Sequence, residues 1–238
     1  MVLSIIIPVY NEEKTVAAIL EKLRLLSLPM IDKEIIVVDD GSSDKTVEKI
    51  KSFKKTVPTI KLAQHKENMG KGVAIQTGAS CASGDYILIQ DADLEYDPKD
   101  ISLLLHPILE KKADVVYGTR LKRLPNLRRD ERTVTFLIHY FGNRFLSLVT
   151  SILYGQWITD METGYKLFPK KFLEKNSLRA RGFDIEPEIT AKLLKGGYKI
   201  MEIPISTNPR SHDEGKKLNA LTDGPVALMT LVKYRFVD

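Results

Sequence analysis

An α/β protein with a mostly parallel central sheet, covered by helices, is predicted by two observations. Short continuous apolar runs alternate with amphipathic stretches, the pattern of βαβ units whose sheet is buried on both faces. Each run also stops in a cluster of acidic, glycine or asparagine residues, and in such sheets ligands bind beyond the carboxyl ends of the strands. The 238 residues suffice for one such domain or two small ones, and 43% hydrophobic with 28% charged residues is an ordinary globular mixture.

The first run, Leu3–Val9, closes in Pro8-Val9-Tyr10-Asn11-Glu12. Glu12-Glu13 start an amphipathic helix to Leu26, with Val16, Ile19, Leu20, Leu23 and Leu26 on one face. Glu34–Val38 is the second strand and ends in Asp39-Asp40-Gly41-Ser42-Ser43-Asp44, where Ser43 or Asp44 can cap the helix from Lys45 to about Phe53. Thr59–Gln64 is the third strand, and Asn68-Met69-Gly70-Lys71-Gly72 leads into a helix ending near Ala82. Tyr86–Ile89 comes fourth, a helix from Lys99 to Glu110 next, and Asp114–Tyr117 is a fifth strand closing on Gly118-Thr119-Arg120.

The fourth strand ends in Asp91-Ala92-Asp93, with Glu95 two residues on. On an extended chain Asp91 and Asp93 point the same way, about 6–7 Å apart. Like charges repel and resist burial, so the pair stabilises nothing by itself. A hard divalent cation between the carboxylates and a diphosphate makes it favourable; a solvated acidic turn before Pro98 is the alternative. Tyr10, Glu12, Asp39, Asp40, Asp91, Asp93 and Arg120 all fall at strand ends and converge on one crevice. That set suits a nucleotide sugar, with Asp40 accepting from base or ribose and Asp91 and Asp93 holding the diphosphate through a metal. Gly70-Lys71-Gly72 is either an anion site or a tight turn with a solvated Lys71, since it lacks phosphate-loop spacing.

The formal charge of +5 is mild and gives no argument for a nucleic-acid partner, although basic residues gather at 122–132 and 210–217. The single cysteine, Cys81, excludes an intramolecular disulfide and suits a reducing compartment. Its small-residue helical setting predicts a buried structural thiol rather than a nucleophile. Ser4–Tyr10 has strand length and no basic leader, so no secretory signal is expected. No segment reaches the roughly 18–20 apolar residues that span a bilayer. The expected location is cytoplasmic.

Pro8-Val9-Tyr10-Asn11-Glu12, Val38-Asp39-Asp40-Gly41-Ser42, Gly70-Lys71-Gly72, Asp91-Ala92-Asp93-Leu94 and Gly118-Thr119-Arg120, in this order and spacing, resemble glycosyltransferase family 2. The nearest subgroup is that of dolichyl-phosphate mannose synthase and related polyprenyl-phosphate glycosyltransferases. Asp160-Met161-Glu162-Thr163-Gly164 and residues 182–192 and 204–218 extend the similarity over nearly the whole chain. The resemblance implies a GT-A (Rossmann-like) fold in one domain over 1–238, with 1–120 binding the nucleotide sugar and 121–238 the acceptor. It implies an inverting transfer that depends on Mg²⁺ or Mn²⁺. Pro8, Tyr10, Glu12, Val38 and Asp40 match nucleotide-binding positions, Asp91 and Ala92 match positions near the diphosphate, and Asp93 matches the principal metal ligand. Glu95 falls where such synthases can carry glutamine as a further ligand, and a carboxylate there adds negative charge. Arg120 and Arg210 match arginines that contact phosphate, and Lys217, with Lys216 as its rival, matches a basic residue of the same closing loop.

Arg128, Arg129 and Arg132 lead into 133–154, which contains no acidic residue. At helical spacing His139, Asn143, Ser147 and Thr150-Ser151 form a narrow polar stripe, while Phe141, Phe145, Leu148, Val149, Ile152 and Leu153 make a wide apolar face. Either that face packs on the sheet, or it lies at a bilayer surface with the arginines meeting lipid phosphates; the resemblance favours the second. His139 reads as a helix-face residue, not a catalyst. Residues 160–164 and 183–188 bring a second group of acids. An acid in this half serves as general base in family 2 enzymes with hydroxyl acceptors. A phosphate acceptor has its second pKa at about 6 and needs positioning instead, for which the planar, always-charged arginine fork is suited. Arg120, Arg132, Arg210, Lys216 and Lys217 therefore favour a lipid phosphate over a sugar hydroxyl. Asp160 orients the site or has a structural role at a strand start. Lys199–Ser206 reads as the last strand, 208–218 as a closing loop, and Asp223-Gly224-Pro225 as the opening of an amphipathic helix to about Phe236.

The combined reading is a hexosyltransferase that moves mannose, glucose or N-acetylglucosamine from GDP-mannose, UDP-glucose or UDP-N-acetylglucosamine to polyprenyl (dolichyl-type) phosphate. It would sit at the cytoplasmic face of a membrane, by its own helices (about 133–154 and 224–236) or through a membrane-protein partner. The rivals are transfer to a saccharide or small-molecule hydroxyl, with an acid near Asp160 or Glu186 as base, and a non-catalytic, nucleotide-responsive membrane adaptor. A nucleotidyltransferase would want a glycine-rich loop near the N-terminus, which the chain lacks.

Overall fold

The computed structural model describes residues 1–121, 134–208 and 220–237. Its elements run β1 (Val2–Val9), α1 (Val16–Leu25), β2 (Asp32–Asp39), α2 (Thr46–Thr56), β3 (Lys61–Gln64), α3 (Lys71–Cys81), β4 (Tyr86–Ile89), α4 (Ile101–Leu109), β5 (Val115–Thr119), α5 (Val134–Tyr154), β6 (Lys166–Pro169), α6 (Lys171–Lys175), α7 (Ile185–Lys195), β7 (Ile200–Pro204) and α8 (Ala220–Phe236). One seven-stranded sheet has the order β3-β2-β1-β4-β6-β5-β7. β1 to β4 pair in parallel, as do β5 and β7, and β6 alone runs antiparallel to both of its neighbours. The mostly parallel sheet expected from the apolar runs is present.

Strand periodicity divides the core into two layers. Leu3, Ile5, Ile7 and Val9 of β1 face a layer built from α1 and α4, through residues such as Leu20, Leu23, Leu104 and Leu105. Ile6 with Ile36, Val38, Ile87 and Ile89 faces the other, with Ala74 and Ile75 of α3, Ile189 of α7 and Leu231 of α8.

Four expectations change. The helix expected from Glu12 begins at Val16, because the N–H groups of Asn11, Glu12 and Glu13 donate instead to Ser42, Thr46 and Asp44. β6 was not foreseen: it is four residues long, and its Lys166, which patterning reads as a solvent residue, is fully buried. α8 begins at Ala220 and carries Pro225 inside it, where Asp223-Gly224-Pro225 was expected to open the helix. Cys81, expected to be buried, is exposed on the last turn of α3.

The helix α5 turns much of its wide apolar face away from the sheet. Its polar residues face inward, with Ser147 and Thr150 at 1% and 0% exposure, while Phe141, Phe145 and Ile152 are 61%, 56% and 73% exposed. It packs on α7 and α8, and Tyr154 donates its hydroxyl to the Leu231 carbonyl at 2.8 Å. Among the described residues no helix is long and apolar enough to cross a membrane.

At the opposite edge of the sheet, Glu34 ties three segments together. It accepts from the Ser4 hydroxyl at 2.5 Å, the Ser83 and Gly84 amides, and the Lys61 ammonium at 2.6 Å. Burial opposes its ionisation, but the Lys61, Ser4 and Ser83 donors outweigh it and hold the carboxyl at about 2, below its ordinary 4.5. A depressed acid stabilises above its unfolded pKa, and that stabilisation is lost as pH falls through the folded one. Glu34→Gln should cost about 2 kcal/mol at pH 7. In denaturant titrations the gap to wild type should shrink as pH falls from 4.5 toward 2; a gap independent of pH would contradict this account.

Candidate active site

The carboxyl ends of β1, β2, β4 and β5 open on one side, as parallel pairing requires. At the end of β2 the two aspartates behave differently. Asp40 is buried and accepts from the Met69 and Gly70 amides at 2.9 and 2.8 Å and from His65 Nδ1 at 2.7 Å. A carboxylate can only accept, so Nδ1 carries the hydrogen, while Nε2 lies 2.9 Å from the Thr77 hydroxyl. Asp40 thus fixes the turn before α3. Asp39 is equally buried, yet its Oδ1 has no hydrogen-bonding partner among the described residues, and Oδ2 receives only a long 3.4 Å bond from the Ser42 amide. Asp39 is the open acceptor of the pair. Val38 lies in the core, so it can meet a nucleotide only through its main chain, and Ala92 is also buried. Pro8, Tyr10 and Glu12 are partly exposed around the end of β1. Glu12 Oε2 accepts from Thr15 Oγ1 at 2.7 Å.

Lys71 is not the solvated residue of a tight turn, one of the two readings of its motif; it is held between two carboxylates. Its ammonium lies 2.8 Å from Asp91 Oδ1 and 3.1 Å from Glu186 Oε1, and a second lysine, Lys166, reaches Glu186 Oε2 at 2.8 Å. Burial works against the Lys71 charge, but Asp91 and Glu186 outweigh it and raise its pKa. Burial likewise opposes the Glu186 charge, and Lys166 and Lys71 hold it ionised. The glycines of the motif serve close approach: the Gly72 amide donates to the Arg181 carbonyl at 2.8 Å, and a Cβ on Gly72 would overlap the Ala180 carbonyl oxygen. Gly164 meets the acidic segment in the same way, since a Cβ there would overlap Asp91 Oδ2. Lys166 also donates to the Met161 and Thr163 carbonyls, at 2.8 and 2.5 Å, and so pins the 161–164 turn.

Arg120, just past β5, grips Asp160 through two parallel bonds, Nε to Oδ2 at 2.8 Å and Nη2 to Oδ1 at 2.7 Å. The Arg120 amide and the Asn143 side chain supply two more donors, both at 2.8 Å. Asp160 is fully buried; burial opposes its charge, and Arg120 overcomes this and lowers its pKa. Tyr96 joins the two clusters. Its ring lies 6.0 Å from the Arg120 guanidinium carbon, its hydroxyl accepts from the Gly164 amide at 3.0 Å, and Gly164 lies against both the Tyr96 ring and the Asp91 carboxylate. Asp91 and Arg120 therefore lie near one another, joined through Gly164 and Tyr96. Beside them, burial pushes Glu162 up to about 7, opposed by Lys166 and reinforced by Glu186 and Asp160.

Arg132, Arg210, Lys216 and Lys217, with Arg128 and Arg129, lie outside the described residues. Lys71, Glu186 and Lys166 were missed as a group, because nothing local in the sequence shows that three distant charges meet; only the burial implied by the flanking glycines of Lys71 hints at it. Among the described residues no three carboxylate, imidazole or thiol side chains form a ready metal cage. Asp91 is turned to Lys71, and Asp93 Oδ1 accepts the Glu95 amide at 3.0 Å. Hard oxygens from one or two carboxylates, completed by diphosphate oxygens, are the donor set that suits Mg²⁺ or Mn²⁺, and the segment 91–95 fits that set rather than an all-protein cage.

Comparison with known proteins agrees with this architecture. The chain is 29% identical over 220 residues to the UDP-N-acetylglucosamine--dolichyl-phosphate N-acetylglucosaminyltransferase of Methanococcus voltae, covering 85% of this chain and 84% of that protein. It is 33% identical over 221 residues to a dolichyl-phosphate beta-glucosyltransferase of Trichomonas vaginalis, covering 87% and 65%. Crystals of glucosyl-3-phosphoglycerate synthase from Mycobacterium tuberculosis, in complex with Mn²⁺, uridine diphosphate and glucosyl-3-phosphoglycerate, share the fold with a TM-score of 0.71 at 21% identity, over 99% of this chain and 80% of theirs. The model of "Glycosyl transferase family 2" matches residues 4–176. With this match over most of its length and the GT-A sheet just described, the chain belongs to glycosyl transferase family 2 and is a glycosyltransferase.

Proposed function

We propose that the enzyme transfers glucose or N-acetylglucosamine from a UDP donor to a polyprenyl phosphate, with inversion, at a membrane surface. The observation that carries the reading is that Asp91 and the Arg120 guanidinium are brought near one another around Tyr96 and Gly164. The two relatives named for dolichyl-phosphate transfer support the acceptor, and the one named for UDP-N-acetylglucosamine favours UDP over the GDP-mannose that the sequence left open.

Residues 1–120 bind the donor. The base and ribose lie over Pro8, Tyr10, Glu12 and the Val38 main chain, with Asp39 and Asp40 beneath them. Asp91 and Ala92 flank the diphosphate, and Lys71 and Glu186 face the sugar. Asp93, with Asp91 and Glu95, would hold Mg²⁺ or Mn²⁺, which when bound would supply charge neutralisation of the leaving diphosphate. Residues 121–238 bind the acceptor. Arg120 is fixed by Asp160 through two nitrogens and offers the third to the acceptor phosphate, and Arg132, Arg210, Lys216 and Lys217 complete the basic set. An acceptor oxygen attacks the anomeric carbon in line. The new C–O bond forms as the bond to the diphosphate breaks, and the diphosphate leaves with the electron pair. The acceptor phosphate is mostly ionised near neutral pH, so no base is required.

Phe141, Phe145 and Ile152 of α5, Trp157, and Met229 and Phe236 of α8 are large apolar side chains left exposed, and we assign them to the cytoplasmic leaflet or to a membrane-protein partner there. A hydroxyl acceptor is a second reading, favoured by Glu162: with Asp160 and Glu186 locked in ion pairs, it is the acid whose pKa of about 7 suits a base.

Two measurements test the proposal. With Mn²⁺ present, UDP-sugars should raise the thermal midpoint of the protein by several degrees, and Asp93→Ala should lose the metal-dependent part while folding normally. An unchanged metal-dependent shift in that variant would remove Asp93 from the site. Wild type should float with vesicles containing anionic lipid, and Phe141→Glu with Phe145→Glu should abolish flotation; equal flotation would remove α5 from the membrane face.

A further inference from the structure

The polar stripe of α5 is the one feature of the sequence that the transfer chemistry leaves unused. It is not a solvated face. Asn143 donates to Asp160 Oδ1 at 2.8 Å, Ser147 Oγ donates to Asn143 Oδ1 at 3.3 Å and accepts the Met161 amide at 3.0 Å, and Ser151 accepts the Ile158 amide at 2.9 Å. The stripe therefore grips residues 158–161 from outside the sheet. From the sheet side, Glu202 of β7 accepts the Thr159 and Asp160 amides.

Asp160 has no access to water, and its four bonds come from the Arg120 amide, Arg120 Nε, Arg120 Nη2 and Asn143. Three of these belong to the very residue whose orientation is at issue. Asn143 is the only donor to the carboxylate, among the described residues, that is independent of Arg120. It prevents the carboxylate and guanidinium from tilting together, because a buried carboxylate oxygen that gave up this bond would have no water to replace it. The amide orientation follows from its neighbours: only the nitrogen can donate to Asp160, which leaves the oxygen for Ser147.

We propose that Asn143 is a positioning residue for the acceptor phosphate. It holds Asp160, and through Asp160 the plane of the Arg120 guanidinium. The helix whose outer face is apolar thus sets, with its inner face, the arginine that receives the lipid's phosphate. This inference rests on the acceptor reading given above.

Steady-state kinetics of wild type, Asn143→Ala and Asn143→Asp, with a short-chain polyprenyl phosphate and a UDP-sugar, test it. Asn143→Ala should raise the acceptor KM about ten-fold while the donor KM stays within about two-fold. Asn143→Asp keeps the shape of the side chain but sets a second carboxylate against Asp160, so it should be at least as impaired as the alanine variant. A residue that merely fills space would tolerate aspartate, so an Asn143→Asp enzyme with wild-type constants overturns the proposal. Donor and acceptor KM rising together would also overturn it, as general loosening of the fold. Active wild type with unaffected variants removes the role of Asn143 alone; wild type that transfers to no polyprenyl phosphate removes the acceptor reading and this inference with it.

Discussion

A single lysine ammonium held between two carboxylates from distant parts of the chain is the constraint on which the site depends. Asp91 comes from the end of β4, Lys71 from the start of α3 and Glu186 from α7, and Lys166 of β6 extends the row to four alternating charges. Each charge is largely or wholly withdrawn from water, and burial opposes the charge of both Lys71 and Glu186. Such a row is tolerable only because each member is paired, and removing one member of a buried pair typically costs about 3–5 kcal/mol. The alternation ties Lys71 and Asp91 to Lys166 and Glu186, far along the chain. It also explains the close backbone contacts nearby, where Gly72 lies on residues 180–181 and Gly164 on the carboxylate of Asp91. Any bulk at those points would separate the charges.

The second anchor, Arg120 on Asp160, follows a different logic. Here one buried carboxylate is saturated so that one guanidinium keeps a fixed plane. Tyr96 lies between the two anchors, stacked on Tyr165 with ring centroids 4.8 Å apart. The Tyr96 main chain pairs with Thr207, and the Asn208 amide donates to the Glu95 carbonyl at 3.0 Å. The acidic segment, Arg120 and the residues that follow β7 are thus parts of one framework. Rigid support of this kind is what a reaction that depends on positioning two anionic partners requires.

Much of this was legible in the sequence, and the reasons are physical. Continuous apolar runs ending in acids mark parallel strands, so Asp91, Asp93 and Arg120 could be placed just beyond the ends of β4 and β5 before any coordinates. What was not legible depends on partners remote in the chain. Patterning treats a lysine as a surface residue, which hid β6, whose Lys166 is buried against Glu186 and the Tyr117 ring. It treats the apolar side of a helix as the inward side, yet α5 is turned the other way, because its polar side has Asp160 and the Met161 amide to satisfy. Two adjacent aspartates cannot be told apart by type, but Asp40 is consumed by the turn before α3 while Asp39 keeps an open oxygen. A cysteine among small helical residues gives no sign of which side it faces, and Cys81 faces solvent.

The central claim, that the cleft is built for a phosphate acceptor, is tested most directly by offering the purified enzyme a UDP-sugar, Mn²⁺ and two acceptors that differ in one group. One is a short polyprenyl phosphate and the other is the corresponding polyprenyl alcohol. Sugar transfer to the phosphate, and none to the alcohol, is the predicted result. Transfer to the alcohol or to a saccharide hydroxyl, with the phosphate ignored, would contradict it and shift the chemistry to a hydroxyl acceptor.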